Sequence, residues 1–243
     1  MRNIALVFGR KNSKGLKNKN IKKILNKPMY SYPIDAAKKV SNIDEIFVSS
    51  DNQTILQYGK KRGCHIIKRP KYLCTDKSLL SDAIQHAVSH CFSIYKKIDN
   101  FVILLCNSVC FLPKDIKEGL KIINNSKKIE TVATISKFNM FSPVRAKKIT
   151  GSEIKNYIPN NTLSKFTGLS GDRNLSVDTY FCTHSFTITK AKVLKNMKQN
   201  DYPFKWMGKK IKFIEQDSCI GDIDFEWQLP VLKWWLKKNN VKK

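Results

Sequence analysis

The sequence has 243 residues, of which 42% are hydrophobic, and a formal net charge of +26 at pH 7. That length suffices for one full hydrophobic core, and we predict a single domain spanning residues 1–243. No apolar run approaches the roughly 18 residues needed to cross a bilayer, and the first apolar run is too short for a signal peptide. These features predict a cytoplasmic protein without a membrane partner.

The positive charge comes mostly from lysine. Six of the 45 basic residues are arginine, which leaves 45 − 6 = 39 lysines, whereas base readout and bidentate phosphate binding favour arginine. The lysines are spread along the whole chain. We therefore interpret the charge as a solvated surface that disfavours nucleic acid as a partner. A non-catalytic, lysine-rich nucleic-acid-binding protein is the alternative from a different functional class.

The seven cysteines show no CxxC pair, so neither a zinc site nor a disulfide framework is predicted. Reduced thiols in a cytosol fit this pattern best. Cys182 and His184 are two apart in a predicted strand and would share one face of it. We interpret that pair as core residues rather than metal ligands.

Short apolar runs alternate with helical patterns in the first half of the chain. Strands are predicted at residues 3–7, 45–49, 64–68 and 101–105, and helices at 29–40, 52–62, 78–95 and 113–125. This alternation is typical of an α/β protein with a mostly parallel sheet covered on both faces. Ligands of such sheets bind beyond the carboxyl ends of the strands, where loops 8–20, 50–52 and 106–112 would gather.

The pattern changes after residue 130. Residues 130–136 and 178–189 predict strands, whereas 137–177 is polar and irregular, with scattered Gly, Pro, Ser and Asn. Residues 224–238 have helical spacing. We predict that 137–189 is an inserted arm rather than a second core.

The loop after the first strand, FGRKNSKGLKNKN at residues 8–20, holds five Lys or Arg. Between a strand and a helix, backbone amides and cationic side chains can surround an anion. The loop matches neither GxxxxGK[ST] nor GxGxxG. Its place at the ligand-binding edge of the sheet favours phosphate binding over charge that serves solubility alone.

These segments together resemble the acylneuraminate cytidylyltransferase family, which comprises the CMP-sialic acid synthetases and bacterial relatives acting on other nine-carbon acids. The similarity rests on GRKNSKGLKNKNI, IFVSSDN, KRP at 68–70, CTD at 74–76, DYPFKWMGKK and GDIDFEWQLPVLKWWL. It covers nearly the whole chain and is weakest in 137–177. The resemblance implies a three-layer, Rossmann-like nucleotidyltransferase fold with an inserted dimerisation arm, and hence a homodimer.

The resemblance also implies a reaction. The anomeric hydroxyl of a 2-keto-3-deoxy sugar acid attacks the α-phosphate of CTP with Mg²⁺, giving pyrophosphate and a CMP-sugar for surface glycans. A nucleotidyltransferase for Kdo or a sugar phosphate is the enzymatic alternative. Charge develops on pyrophosphate as it leaves, so we predict Arg10 and Lys19 as catalytic phosphate ligands. Arg10 can bind phosphate bidentately, and Lys19 supplies a compact charge.

Further nucleotide-binding residues are expected in the first loop and in two later loops. Arg69 matches the RP motif that contacts the nucleotide in relatives, and Pro70 places it at a strand end. Asp76 lies in the following loop and is expected to order it. The predicted nucleotide-binding residues are Arg10, Asn12, Ser13, Lys14, Gly15, Asn20, Arg69 and Asp76.

Two other segments bear on nucleotide binding. Ser50 and Asp51 match the STD segment of the family, with a helix N-cap at either residue as the open alternative. Leu79 and Leu80 stand where relatives usually carry paired serines. The sequence therefore lacks the serine contacts usual there.

Asp222 and Asp224, in GDIDFE, are two apart, and in an extended segment they would project to the same side. Two carboxylates so placed can hold one hard cation, and in the family such a pair binds Mg²⁺. An N-cap of the following helix is the alternative for Asp224.

Asn107, Arg173 and Tyr180 are the predicted sugar-binding residues. Many relatives read LQPTSPLR after the fourth strand, where this chain reads LLCNSVCFLP. Asn107 would then make the contact to sugar or cytosine that a Gln usually makes. Arg173 and Tyr180 resemble arm residues that contact the sugar, often across a dimer interface; a surface Arg and a strand Tyr are the alternative.

Overall fold

The computed structural model describes residues 1–12, 15–166, 177–200, 203–217 and 221–241. Within these residues the centre is a seven-stranded sheet in the order β11-β7-β10-β6-β1-β4-β5. Its strands are β1 (Asn3–Gly9), β4 (Glu45–Ser50), β5 (His65–Lys68), β6 (Asn100–Leu105), β7 (Thr131–Lys137), β10 (Tyr180–Lys190) and β11 (Ile211–Glu215). Two short hairpins flank it: β2 (Lys23–Ile24) with β3 (Lys27–Pro28), and β8 (Lys147–Thr150) with β9 (Glu153–Asn156).

The central sheet is mostly parallel, as predicted. Strand β1 pairs in parallel with β4 and β6, β4 with β5, and β7 with β11. Strand β10 runs antiparallel to both of its neighbours, β6 and β7. The carboxyl ends of β1, β4, β5 and β6 therefore meet at one edge of the sheet.

Helices cover both faces of the sheet. Helices α1 (Ser31–Lys38), α2 (Gln53–Lys61) and α4 (Pro113–Asn124) cover one face, and α3 (Leu80–Ile94) and α6 (Ala191–Lys195) cover the other. The described residues also form α5 (Asn160–Leu163), which buries no residue, and α7 (Gln228–Lys238). Alternate residues of β1 reach opposite cores: Ala5 and Val7 join apolar residues of α1, α2 and α4, whereas Ile4 and Leu6 join those of α3 and α6. The predicted three-layer α/β fold is confirmed. No helix in the described residues is long and apolar enough to cross a membrane.

Helix α7 packs away from the two main cores. Its apolar residues form a third cluster with Leu16 of the first loop, Val109 after β6, and Ile223. Because Ile223 lies between Asp222 and Asp224, this packing holds both carboxylates beside the first loop.

The structure changes the predicted boundaries after residue 137. Strand β10 lies inside the central sheet, so the predicted arm, 137–189, contains both a sheet strand and the peripheral β8–β9 hairpin. Strand β11 was not predicted, because it is an edge strand on which Ile211 and Phe213 remain exposed. Helix α7 begins at Gln228, four residues after the predicted start at Asp224.

Candidate active site

A cleft of ≈ 270 Å³ opens at the carboxyl ends of the parallel strands. Phe8 and Gly9 at the end of β1 and Leu105 at the end of β6 form part of its floor. Predicted site residues that line it are Arg10, Lys19, Asn20, Arg69, Asp76, Asn107 and Asp222. The fold thus brings together residues that are up to 212 positions apart in the chain (222 − 10 = 212).

Arg10 connects the first loop to the loop after β5. Its Nη1 donates a hydrogen bond of 3.0 Å to the Thr75 carbonyl and lies 4.0 Å from Asp76 Oδ1. The Asn20 amide donates a 2.8 Å hydrogen bond to the Arg10 carbonyl and closes the base of the loop. These contacts hold the Arg10 guanidinium at the mouth of the cleft.

Lys19 forms an ion pair with Asp224. Gly15 lies against the same segment, since a Cβ built on it would be 2.3 Å from the Asp224 carbonyl oxygen. A side chain at position 15 would therefore push the first loop away from Asp224. The glycine therefore allows the first loop to pack directly against the segment that carries Asp224.

Arg69 is 7% exposed and lies between β4 and the cleft. Its Nη2 donates a 3.0 Å hydrogen bond to the Ser49 carbonyl, and its guanidinium carbon lies 5.7 Å from the Phe8 ring centroid. Burial lowers the pKa of Arg69. No carboxylate of the described residues forms an ion pair with it, so the cation is available to an anionic ligand.

Asp222 is held by the chain around it. Its backbone forms a β-bridge with Ser108, and the Asn107 amide donates hydrogen bonds to the Ile223 carbonyl at 3.1 Å and to Asp222 Oδ2 at 3.4 Å. Burial raises the pKa of Asp222, and the charge of Asp224 raises it further. Two carboxylates in this position favour a nearby cation.

Asn20, which lines the cleft, has a buried polar atom without a partner among the described residues. Asn20 is 5% exposed, and its Oδ1 accepts no hydrogen bond from any described residue. Buried acceptors are normally satisfied. A ligand donor is the partner that this oxygen fits.

Residues 4–135 match the family model described as "Cytidylyltransferase". That region is more than half of the chain. The chain belongs to the cytidylyltransferase family.

Individual family members agree with this assignment. The chain is 29% identical over 141 residues, 58% of its length, to the N-acylneuraminate cytidylyltransferase of Escherichia coli O18:K1:H7. It is 31% identical over 148 residues, 60% of its length, to the pseudaminic acid cytidylyltransferase and UDP-2,4-diacetamido-2,4,6-trideoxy-beta-L-altropyranose hydrolase of Helicobacter pylori. These matches span 33% and 28% of those relatives, so the chain matches about a third of their lengths. The resemblance to the acylneuraminate cytidylyltransferases is confirmed.

A solved structure of CMP:2-keto-3-deoxy-manno-octonic acid synthetase complexed with CTP superposes with a TM-score of 0.68. The superposition covers 98% of this chain and 100% of that one, at 14% identity. At that identity the likeness concerns the fold, and it confirms the Rossmann-like nucleotidyltransferase fold.

Other predicted site residues lie outside the cleft lining of this cytidylyltransferase family member. Asn12 is exposed, and Tyr180 lies at the outer end of β10, paired with Lys137. Gly15 contacts Asp224 rather than the cleft. Ser13, Lys14 and Arg173 fall outside the described residues. Leu79 and Leu80 line the cleft and form an apolar part of its wall next to Ser78.

The capping alternatives are wrong for all three residues. The N-cap of α2 is Asn52, whose side chain accepts from the Thr54 amide at 2.9 Å. The N-cap of α7 is Trp227, and the Asp224 carboxylate pairs with Lys19 instead of capping the helix.

Asp51 has a role that the sequence did not reveal. Its Oδ1 accepts a 2.7 Å hydrogen bond from the Lys11 amide and so ties the end of β4 to the first loop. The sequence signals were its place beyond a strand and its match to the STD segment of the family, and neither predicted this contact. Ser49, which holds Arg69, gave no signal at all.

Proposed function

We propose that the protein couples CTP to a nonulosonic, sialic-acid-like sugar acid in the cytoplasm, giving a CMP-sugar and pyrophosphate for surface glycan synthesis. The observation that carries the proposal is the convergence of Arg10, Lys19 and Arg69 on a cleft that also holds Asp222. The chain's family supports the nucleotide, and the names of its N-acylneuraminate and pseudaminic acid relatives support the acid.

The proposed reaction balances as a nucleotidyl transfer. The anomeric oxygen of the acid forms a bond to the α-phosphorus of CTP, and the bond to the bridging oxygen breaks. The hydroxyl proton is released, and pyrophosphate leaves with the electron pair of the broken bond. Negative charge therefore increases on the leaving group in the transition state.

Three cationic side chains of the cleft would interact with that negative charge. Arg10 and Lys19 would bind the phosphate oxygens of the triphosphate, where preorganised donors lower the barrier most. Arg69, buried and unpaired with any described carboxylate, would bind the nucleotide from the β5 side. Asn20 Oδ1 would accept a hydrogen bond from the substrate.

Asp222 and Asp224 would hold Mg²⁺. The donor set fits, because Mg²⁺ is commonly bound by one or two carboxylates together with substrate phosphates. Among the described residues no three His, Cys, Asp or Glu side chains form a metal-binding group, so phosphate oxygens would complete the coordination. Bound Mg²⁺ would neutralise charge on the triphosphate and on the departing pyrophosphate.

We also propose that the protein is a homodimer in which the arm takes part. Ile149 and Ile154 form a cross-strand pair in the β8–β9 hairpin and are 82% and 72% exposed. Tyr157, next to the hairpin, is 65% exposed. An isolated two-stranded hairpin is marginally stable in water, and a second copy of the chain would cover these side chains.

A pyrophosphate-release assay tests the proposal. The protein is supplied with CTP, Mg²⁺ and, in turn, pseudaminic acid, N-acetylneuraminic acid, Kdo and a sugar phosphate. Release with a nine-carbon acid supports the proposal. Release with only Kdo or only the sugar phosphate would mean that this compound, and not a nine-carbon acid, is the acceptor. No release by folded protein across the whole panel would refute the activity.

A further inference from the structure

Strand β10 contains a bulge beside the cleft. Cys182 pairs with Ile135 and Thr187 with Ala133, so five steps along β10 match two steps along β7. Within the bulge His184 has a φ of 51°. The left-handed region is uncommon for residues other than glycine, and such conformations concentrate at functional sites. The bulge also breaks the strand alternation that placed Cys182 and His184 on one face.

The bulge touches the segment that carries the carboxylates. Gly221 has a φ of 76°, and a Cβ on it would lie 2.1 Å from the Thr183 carbonyl oxygen. Burial lowers the pKa of His184, and the nearby Asp222 carboxylate opposes that shift. Because Thr183 precedes His184 and Gly221 precedes Asp222, the Gly221–Thr183 contact places the bulge beside the cleft residue Asp222.

The His184 ring is packed on one side and open at its nitrogens. Its centroid lies 4.4 Å from that of Phe204. Phe204 and Cys182 pack against the same apolar cluster as Leu105, which lines the cleft. Neither ring nitrogen bonds to a described residue, and neither belongs to the buried atoms without a partner, so both reach accessible space.

We propose that His184 and Phe204, which lie outside the cleft lining but beside the segment that carries Asp222, form an acceptor subsite next to the cleft, and that His184 is a specificity-determining residue for the sugar acid. This inference rests on the proposed function. An imidazole N–H can donate to a carboxylate or hydroxyl oxygen, and an aromatic ring can cover a C–H face or an acyl methyl group. The triphosphate instead requires the cations that lie at Arg10 and Lys19.

The test is a kinetic comparison of His184→Gly and His184→Asn with the unmodified protein, with KM measured separately for the acid and for CTP. Loss of the ring donor should raise KM for the acid about tenfold in His184→Gly and leave KM for CTP unchanged. The melting temperature should stay the same or rise, because glycine adopts this φ freely. Asparagine tolerates the same φ and keeps a donor, so His184→Asn should lie between the two.

Asn26→Gly is the matched control, since Asn26 also has a positive φ, 66°, in an exposed turn away from the cleft. It should leave both KM values unchanged. If His184→Gly has the same KM for the acid as the unmodified protein, the inference is overturned while the proposed function stands. If His184→Gly does not fold, a KM for the acid in His184→Asn equal to that of the unmodified protein overturns the inference. If the unmodified protein forms no product with any acid, the proposed function fails and this inference fails with it.

Discussion

The Lys19 ammonium group pairs with the Asp224 carboxylate across a sequence separation of 205 residues. One belongs to the first loop, and the other to the segment before α7. The pair places the predicted phosphate ligand directly beside the predicted metal ligand. Binding of nucleotide and binding of cation are therefore expected to depend on each other at this contact.

Lys19→Met should reduce kcat by roughly 10²–10³, the usual effect of losing one transition-state donor. Stability should change little, because Asp224 is 49% exposed and solvent screens the pair. Pyrophosphate release and thermal unfolding measure the two effects. Lys17→Met, an exposed lysine of the same loop, is the control. Equal slowing by both variants would mean that the loop acts only through its total charge.

CTP should raise the melting temperature of the unmodified protein but not that of Arg69→Met. A ligand stabilises a folded protein only if it binds to it, and Arg69→Met should not bind CTP. The unliganded protein should keep most of its stability, since the buried guanidinium has no ion-pair partner among the described residues. Differential scanning fluorimetry with and without CTP gives both values. Arg62→Met, which removes an ion pair with Asp35, should retain the CTP effect. Full CTP protection in Arg69→Met would exclude Arg69 from the site.

The double variant Ile149→Lys, Ile154→Lys should be monomeric, because it puts charge on the proposed contact surface. Sedimentation equilibrium reports the mass. The neighbouring cross-strand pair supplies the control, with both Lys148 and Lys155 changed to Ala. A dimer that persists in the isoleucine variant would place the interface elsewhere, and a monomeric unmodified protein would refute dimerisation.

Glu130 should contribute to stability in a pH-dependent way. The backbone amides of Lys209 and Lys210 donate to its carboxylate at 2.7 and 3.2 Å and lower its pKa below the ordinary 4.5. Its contribution is therefore complete above that ordinary value and is lost as the pH falls through the folded value. The free energy of unfolding in urea should be lower for Glu130→Gln than for the unmodified protein at neutral pH. In acid the two proteins should have the same free energy of unfolding.

The exposed Glu118→Gln should show no such difference. If the difference in free energy of unfolding between Glu130→Gln and the unmodified protein stays constant with pH, then the shape of the Glu130 side chain, rather than its charge, holds the loop before β11.

The sequence predicted the buried elements well, because their periodicity is set by the core. Strands β1 and β6 and helix α4 lie within two residues of the predicted bounds. Strand β11 was missed because it is short and has apolar residues on both faces, Ile211 and Phe213 exposed and Ile214 buried. The cations of the first loop were predicted from its position beyond β1.

The residues that hold the site loops and Arg69 in place could not be predicted, because they act through tertiary contacts. Asp51 holding the Lys11 amide and Ser49 holding Arg69 leave no periodic signal. The strained His184 was also missed, since a bulge cannot be distinguished from regular strand alternation in a single sequence.

Mass spectrometry of the reaction products decides whether the cleft performs nucleotidyl transfer to an acid. With CTP, Mg²⁺ and a nonulosonic acid, the unmodified protein should form a CMP-linked acid and an equal amount of pyrophosphate, and Lys19→Met should form far less of both. Folded protein that yields no CMP-linked product with any acid of the panel would contradict the proposed function.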